Sequence, residues 1–207
     1  MSEVNYLLIV SAVFFSIVSP GPATVAIASA SANNGRSYGS TLAFGIASGG
    51  FVWSCAAAFG LSAILYTNLW LFELMRYFGA GYLLYLAFKS LRSACSNKNI
   101  DIENSVKVSL KVTYLKGLAL QLSNPKAILT FASVYAIFLP VNTSPLELIT
   151  VIVSISIMAN IVFQLYAYLF STSKVRNAYF CLRRYFEAFF AFFFGFTGYK
   201  ILTSNFE

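Results

Sequence analysis

Histidine is absent from this sequence, and charged residues of either sign are scarce. Only 10% of the 207 residues are charged, whereas a soluble domain carries about 25%. So few charges cannot cover a surface that faces water, which excludes a soluble protein and indicates an integral membrane protein. The missing histidine also removes the usual metal ligand and the usual proton carrier near neutral pH.

Cysteines and catalytic motifs are equally sparse. Cys55, Cys95 and Cys181 are widely spaced and form no CxxC pair, so neither a disulfide framework nor a zinc site is indicated. We recognise no nucleophile–base pair, no cluster of metal ligands and no phosphate-binding glycine loop. We therefore expect no enzyme activity, no metal and no cofactor.

Apolar residues make up 58% of the chain, and its mean hydropathy is +0.73. They concentrate in six segments of about the 20 residues that a membrane-spanning helix needs, without the alternation of a membrane barrel. The sequence therefore predicts an all-α membrane protein with six transmembrane helices in contact with the lipid bilayer. The segments are approximately Tyr6–Ala32, Thr41–Leu65, Leu69–Leu91, Tyr114–Leu139, Leu146–Phe170 and Phe186–Leu202.

The net charge of +7 predicts an orientation in the membrane rather than a nucleic-acid partner. Eleven of the 14 Lys and Arg residues fall in or beside alternate connections, namely those after segments one, three and five. Positive loops remain in the cytoplasm. Both termini are therefore predicted to lie outside.

Two of the segments contain prolines where a helix is expected to continue. Ser-Pro-Gly-Pro at Ser19–Pro22 interrupts the first segment, and Ser-Asn-Pro-Lys at Ser123–Lys126 interrupts the fourth. Segments three and six also share a Gly-Tyr pair after small residues. The chain therefore reads as one transporter domain, residues 1–207, built from two three-helix repeats, and an odd number of spans inverts the second repeat. The first repeat covers about 1–92, a cytoplasmic loop about 93–112, and the second repeat about 113–207.

Broken backbone is tolerated at membrane depth only where it lines a polar cavity or is covered by protein. The paired breaks therefore predict a substrate site between the halves, although prolines that merely kink packed helices stay an alternative. Lys126 has two interpretations of equal weight. Its side chain is either a partner for a substrate carboxylate, or a group that snorkels or caps nearby carbonyls. The candidate substrate-binding residues are Ser19, Pro20, Gly21, Pro22, Thr24, Gly49, Gly50, Gln121, Asn124, Pro125, Lys126, Asn160 and Gln164.

Some of these candidates have a structural alternative. Asn160 and Gln164 share one helix face at i, i+4, and intramembrane amides commonly join helices. Gly49 and Gly50 belong to the run GIASGG, which contains Gly-x-x-x-Gly and allows close helix approach. Such small-residue faces also allow a homodimer without requiring one.

Three stretches carry a resemblance to a known family: SPGPATVAIASASANNGRSYGSTLAFGIASGG, FGAGYLLYLAFKSLRS and NPKAILTFASVYAIF. They are similar to the LysE-type translocators, bacterial inner-membrane amino-acid exporters that include the homoserine/threonine resistance group. The resemblance covers most of the chain. It implies a multi-pass protein of the bacterial inner membrane that exports small amino acids or close relatives with the proton gradient as the driving force.

The sequence departs from the family pattern at one position that bears on function. Gly50 stands where family members commonly have an acidic residue, and Trp53 stands where a histidine is frequent. Three classes of function therefore stay open: an amino-acid exporter, an exporter of another small solute or a metal cation, and a non-transporting membrane subunit.

Overall fold

The computed structural model describes residues 4–67, 69–95, 108–140 and 143–203. Within these ranges all regular secondary structure is helical, which confirms the predicted all-α class. Most of the predicted loop at about 93–112 lies outside the described residues. The helices are α1 (Tyr6–Val18), α2 (Pro22–Asn34), α3 (Arg36–Thr67), α4 (Leu69–Ala94), α5 (Leu110–Leu122), α6 (Pro125–Phe138), α7 (Pro145–Phe170) and α8 (Ser173–Thr203).

Two helices are long and apolar enough to cross a membrane alone: the part Arg36–Gly60 of α3, and α7. The pair α1 and α2 qualifies as one further span that is bent by 54°. The apolar helix α6 has only 14 residues, while α4 and α8 are long but less apolar than α7. The described residues thus contain two or three candidate spans, and the six-span arrangement stays a prediction.

Both predicted helix breaks are present. Proline has no N–H to donate to the carbonyl four residues earlier, so Pro20 and Pro22 interrupt the first segment and α1 ends at Val18. In the fourth segment α5 ends at Leu122, and α6 begins at Pro125. Each broken segment is therefore a pair of half-helices whose ends meet inside the bundle.

Two glycines bring α3 and α5 into backbone contact. A Cβ atom on Gly45 would collide with the carbonyl oxygen of Tyr114, and one on Gly117 would collide with the carbonyl oxygen of Leu42. Only glycine leaves room for this approach. The contact fixes the fourth segment against α3, which positions the second break.

Three apolar clusters surround the breaks. The first joins α1, α6 and α7, with Tyr135 fully buried at its centre. The second joins α2, α3 and α7, and the third joins α4 and α8 through residues such as Tyr82 and Phe190. Ile17 and Val18, at the end of α1, pack against these clusters, so apolar side chains adjoin the first break.

The glycine contact generates a stability prediction. Gly45→Ala places a methyl group against the backbone of Tyr114, and we expect this overpacking to lower the free energy of unfolding by about 1–3 kcal/mol. Gly60→Ala on the same helix is the control, since nothing lies within 4 Å of a Cβ there. Thermal unfolding of the purified variants in detergent measures the difference, and equal midpoints would contradict the contact.

Candidate functional site

The two helix breaks line one cavity of about 40 Å³. A cavity of this size has room for a few water molecules. Polar groups from the first break and polar groups from the second face each other across it. Its lining consists of Val13, Ser16, Ile17, Ser19, Gly21, Pro22, Ala23, Thr24, Gln121, Asn124, Lys126, Ala127, Thr130, Phe131 and Phe163.

The carbonyl of Val18, at the end of α1, is bound by two tyrosines. The hydroxyl of Tyr166 donates to it at 3.2 Å, and that of Tyr179 donates at 3.3 Å. In an unbroken helix the N–H of residue 22 would donate to this carbonyl, but Pro22 has none. Side chains from α7 and α8 therefore replace a backbone hydrogen bond that the sequence cannot make.

Asn124 caps the second break. Its Oδ1 accepts a hydrogen bond from the N–H of Lys126 at 3.1 Å, which satisfies a free donor in the first turn of α6. Its Nδ2 donates to Oε1 of Gln121 at 3.4 Å. The hydroxyl of Tyr82 donates to the carbonyl of Lys126 at 3.4 Å. The start of α6 is thus held from both α5 and α4.

Lys126 connects the two breaks directly. Its Nζ donates to the carbonyl oxygen of Ser19 at 2.8 Å, and its side chain passes Gly21, where a Cβ would lie 3.5 Å from Nζ. Ser19 follows the last residue of α1, so the cation stabilises the negative end of a helix dipole. An ammonium has three N–H groups. Within the described part of the chain, the bond to the Ser19 carbonyl is the one hydrogen bond that Nζ donates.

Ser16 and Thr130 form a second bridge beside the cavity. Their hydroxyl oxygens lie 2.9 Å apart and join α1 to α6. Both side chains are buried. The cavity is therefore lined by hydroxyl groups and by the side chain of Lys126.

Seven of the thirteen predicted site residues line this cavity: Ser19, Gly21, Pro22, Thr24, Gln121, Asn124 and Lys126. Pro20 and Pro125 lie in the breaks but not in the lining. Gly49 and Gly50 lie behind Gln121; a Cβ on Gly49 would be 2.7 Å from the Cβ of Gln121. These glycines allow α3 to approach the polar side chain that borders the cavity.

The predicted amides of α7 do not line the cavity. Gln164 is held by Ser40 of α3: the Ser40 hydroxyl donates to its Oε1 at 2.5 Å, and its Nε2 donates to the Ser40 carbonyl at 3.1 Å. This pair joins two helices. The Oδ1 of Asn160 is buried and has no hydrogen-bond partner among the described residues.

Several residues of the site were not predicted from the sequence. Ser16 and Thr130 lie within about one helical turn of a break, so a search for hydroxyls near the breaks would have found them. Tyr166 and Tyr179 are 148 and 161 residues away from the carbonyl that they bind. No local pattern indicates a contact over that separation.

Comparison with known proteins points to one family. A sequence model described as LysE type translocator matches residues 14–205. A threonine efflux protein of Salmonella typhi is 28% identical over 181 residues, which cover 84% of this chain and 85% of the relative. A leucine efflux protein of Enterobacter sp. (strain 638) is 34% identical over 159 residues, or 74% and 75% of the two chains. No solved structure matches the chain significantly.

The two tyrosines that bind the Val18 carbonyl generate a prediction about whether their contributions to stability are additive. Tyr166→Phe and Tyr179→Phe each leave the carbonyl one partner, so we expect each to cost about 0.5–1.5 kcal/mol of stability. The double variant is expected to cost more than the sum, because it leaves a buried carbonyl without a partner. Thermal unfolding of all three variants measures this, with the exposed Tyr185→Phe as control. If the stability losses of the two single variants simply add, the conclusion that both tyrosines bind the same carbonyl is contradicted.

Proposed function

Because the chain belongs to the LysE type translocator family, we propose that it is a secondary exporter of small amino acids or their derivatives across the bacterial inner membrane. The observation that carries the proposal is that both helix breaks and Lys126 line one cavity. The family consists of transporters, and the apolar helices fit a membrane-embedded protein. Of the thirteen predicted residues, those that line the cavity have the central role in binding the substrate.

Lys126 and the start of α2 form the proposed site for the substrate carboxylate. The N-cap Gly21 has no side chain to satisfy the free N–H groups of the first turn of α2. Such groups and the positive end of the helix dipole favour an anion. Lys126 lies beside Gly21 and adds the N–H donors of its amino group. A carboxylate that enters the cavity would take over the N–H groups of Lys126 that Ser19 leaves unused.

The rest of the lining fits an uncharged amino acid. Carbonyl and hydroxyl oxygens at Ser16, Ser19 and Thr130 are acceptors for a substrate ammonium. Apolar neighbours such as Phe131 and Phe163 favour an aliphatic side chain. Threonine and leucine, after which the two relatives are named, both have uncharged side chains. A substrate of either size requires the cavity to widen.

We place this site between two inverted repeats, about 1–92 and about 113–207, in a six-span bundle. Support comes from the matching breaks and from the pairing of equivalent helices: α3, the second span of the first half, packs on α7, and α4, the third, packs on α8. Alternating access then follows when one half rocks against the other around the cavity. The proton gradient drives export in this proposal.

Reporter fusions test the proposed orientation. An even number of spans with positive loops inside places the C-terminal end outside. Alkaline phosphatase fused after residue 207 is expected to be active and green fluorescent protein fused there to be dark. Both reporters should reverse when fused after Cys95. A fluorescent fusion at residue 207 would contradict the six-span orientation.

Export from loaded cells tests the function. Cells that hydrolyse an imported leucine dipeptide accumulate free leucine, and overexpression of the chain is expected to lower that internal level. Lys126→Ala should abolish the effect, because the substrate carboxylate loses its charge partner. Lys116→Ala, at an exposed lysine of α5, is the control and should export normally. Internal leucine is measured by chromatography and protein abundance by immunoblot.

The outcomes of this experiment separate the classes of function. Normal export by Lys126→Ala would rule out the charge-partner role of that residue. Failure of the wild type to export leucine, threonine or other amino acids would favour a non-transporting subunit. Increased tolerance to metal salts would favour a cation exporter, although the described residues contain no group of three or more His, Cys, Asp or Glu side chains that could hold a metal.

A further inference from the structure

A second cavity borders the hydroxyl bridge between Ser16 and Thr130. Its volume is about 10 Å³, close to the smallest space that holds one water molecule. Ser16 and Thr130 belong to the lining of this cavity and also to the lining of the larger cavity at the helix breaks. Their hydroxyl oxygens, which lie 2.9 Å apart, therefore form part of the partition between the two spaces.

The second cavity, called the apolar cavity below, lies between α1, α4, α6 and α8. Buried side chains such as Ala12, Leu83 and Val134 line it. Its described lining contains no charged side chain, and the hydroxyl of Thr197 already donates to the carbonyl of Phe193 in its own helix. Such a space leaves a charged group without partners, which is costly, whereas an aliphatic group that enters it is removed from water.

The character of the lining changes in a fixed order along α6. Lys126, Thr130 and Val134 are spaced at i, i+4 and i+8, so each is a neighbour of the next on the helix surface, about 6 Å further along the axis. On α1, Ser16 lines both cavities and Ala12, one turn further from the break, lines the apolar cavity. Both helices thus lead from the polar groups of the breaks, past the hydroxyl bridge, to an apolar space.

An aliphatic amino acid presents its groups in the same order. Its carboxylate is at one end, its ammonium is on the next carbon, and its apolar side chain extends from that carbon. When the carboxylate is at Gly21 and Lys126, as proposed above, the ammonium is placed near the hydroxyl oxygens of Ser16 and Thr130, which are acceptors. The side chain then has the apolar cavity ahead of it.

We propose that the apolar cavity is the subsite for the substrate side chain, and that it makes the exporter selective for branched aliphatic amino acids such as leucine and valine. The inference rests on the proposed function, since it names the substrate class of that site. Leucine is larger than the cavity, so the bridge between Ser16 and Thr130 opens and the two spaces merge when leucine binds. The single methyl group of alanine stays in the larger cavity.

Exchange by the purified full chain in proteoliposomes tests the subsite. Labelled leucine is exchanged against unlabelled leucine, and labelled alanine against unlabelled alanine. In the wild type the leucine rate is expected to exceed the alanine rate. Ala12→Val adds two methyl groups to the wall of the apolar cavity and is expected to lower the leucine-to-alanine ratio about tenfold. Because both rates scale with the amount of folded protein, their ratio does not depend on that amount.

Val134→Ala changes the same cavity in the opposite direction. The loss of two methyl groups makes room for a larger side chain, so the rate of phenylalanine exchange relative to leucine is expected to rise about tenfold. Val151→Ala is the matched control, because Val151 is fully buried in the same apolar cluster as Val134 but lines neither cavity. It should leave both ratios within about twofold of the wild type.

Several results would overturn the subsite. A ratio that stays at the wild-type value in either folded variant indicates that the apolar cavity is a void in the core that no substrate enters. An equal change in Val151→Ala indicates that the effect is not specific to the cavity, and wild-type exchange of alanine as fast as leucine contradicts the selectivity. If Ala12→Val gives no folded protein, Val134→Ala decides alone.

Failure of the underlying function has a different signature. If the wild type exchanges neither leucine, alanine nor any other tested amino acid, the proposed export function fails and the subsite with it. If the wild type exchanges leucine and the variants keep its ratios, export stands and only the assignment of the apolar cavity is wrong.

Discussion

The hydrogen bond from Lys126 to the carbonyl of Ser19 joins the two helix breaks, and the architecture of the cavity depends on it. A backbone carbonyl without a partner is costly in an apolar environment, and a lysine at the centre of a membrane helix costs about 2.5–3.5 kcal/mol on insertion scales. Each of these groups gives the other a hydrogen-bond partner. The same bond places a cation between the end of α1 and the start of α2.

The partners of the first break come from distant parts of the chain. Val18 is bound by side chains of α7 and α8, and Ser19 is bound by a side chain of α6. Hydrogen bonds of this kind contribute about 0.5–1.5 kcal/mol each. Together they link the end of α1 to three other helices, in addition to the apolar contacts of α1 with α6 and α7.

The prediction from the sequence was correct where the cause is local. Apolar segments of spanning length predict helices, and proline lacks an N–H wherever it stands, so the all-helical class and the two breaks follow from the residues themselves. Seven predicted residues line the cavity because they lie in or next to those breaks or, like Gln121, within one turn of one. The family likeness is also confirmed. The six spans remain a prediction, since length and apolar character alone support two or three in the described residues.

Tertiary packing decided the remaining features. Whether Lys126 caps its own helix or another depends on where α1 ends in space, and the structure places its ammonium on Ser19, 107 residues away. The sequence predicts that Gln164 and Asn160 share one helix face. In the structure Gln164 is bound by Ser40 of α3 and joins two helices. The burial of Glu187 likewise depends on how α8 packs on α4. The sequence determines where a helix ends, because the missing N–H of proline is part of its covalent structure. Which distant group binds the free carbonyls at that end is decided only when the helices pack together.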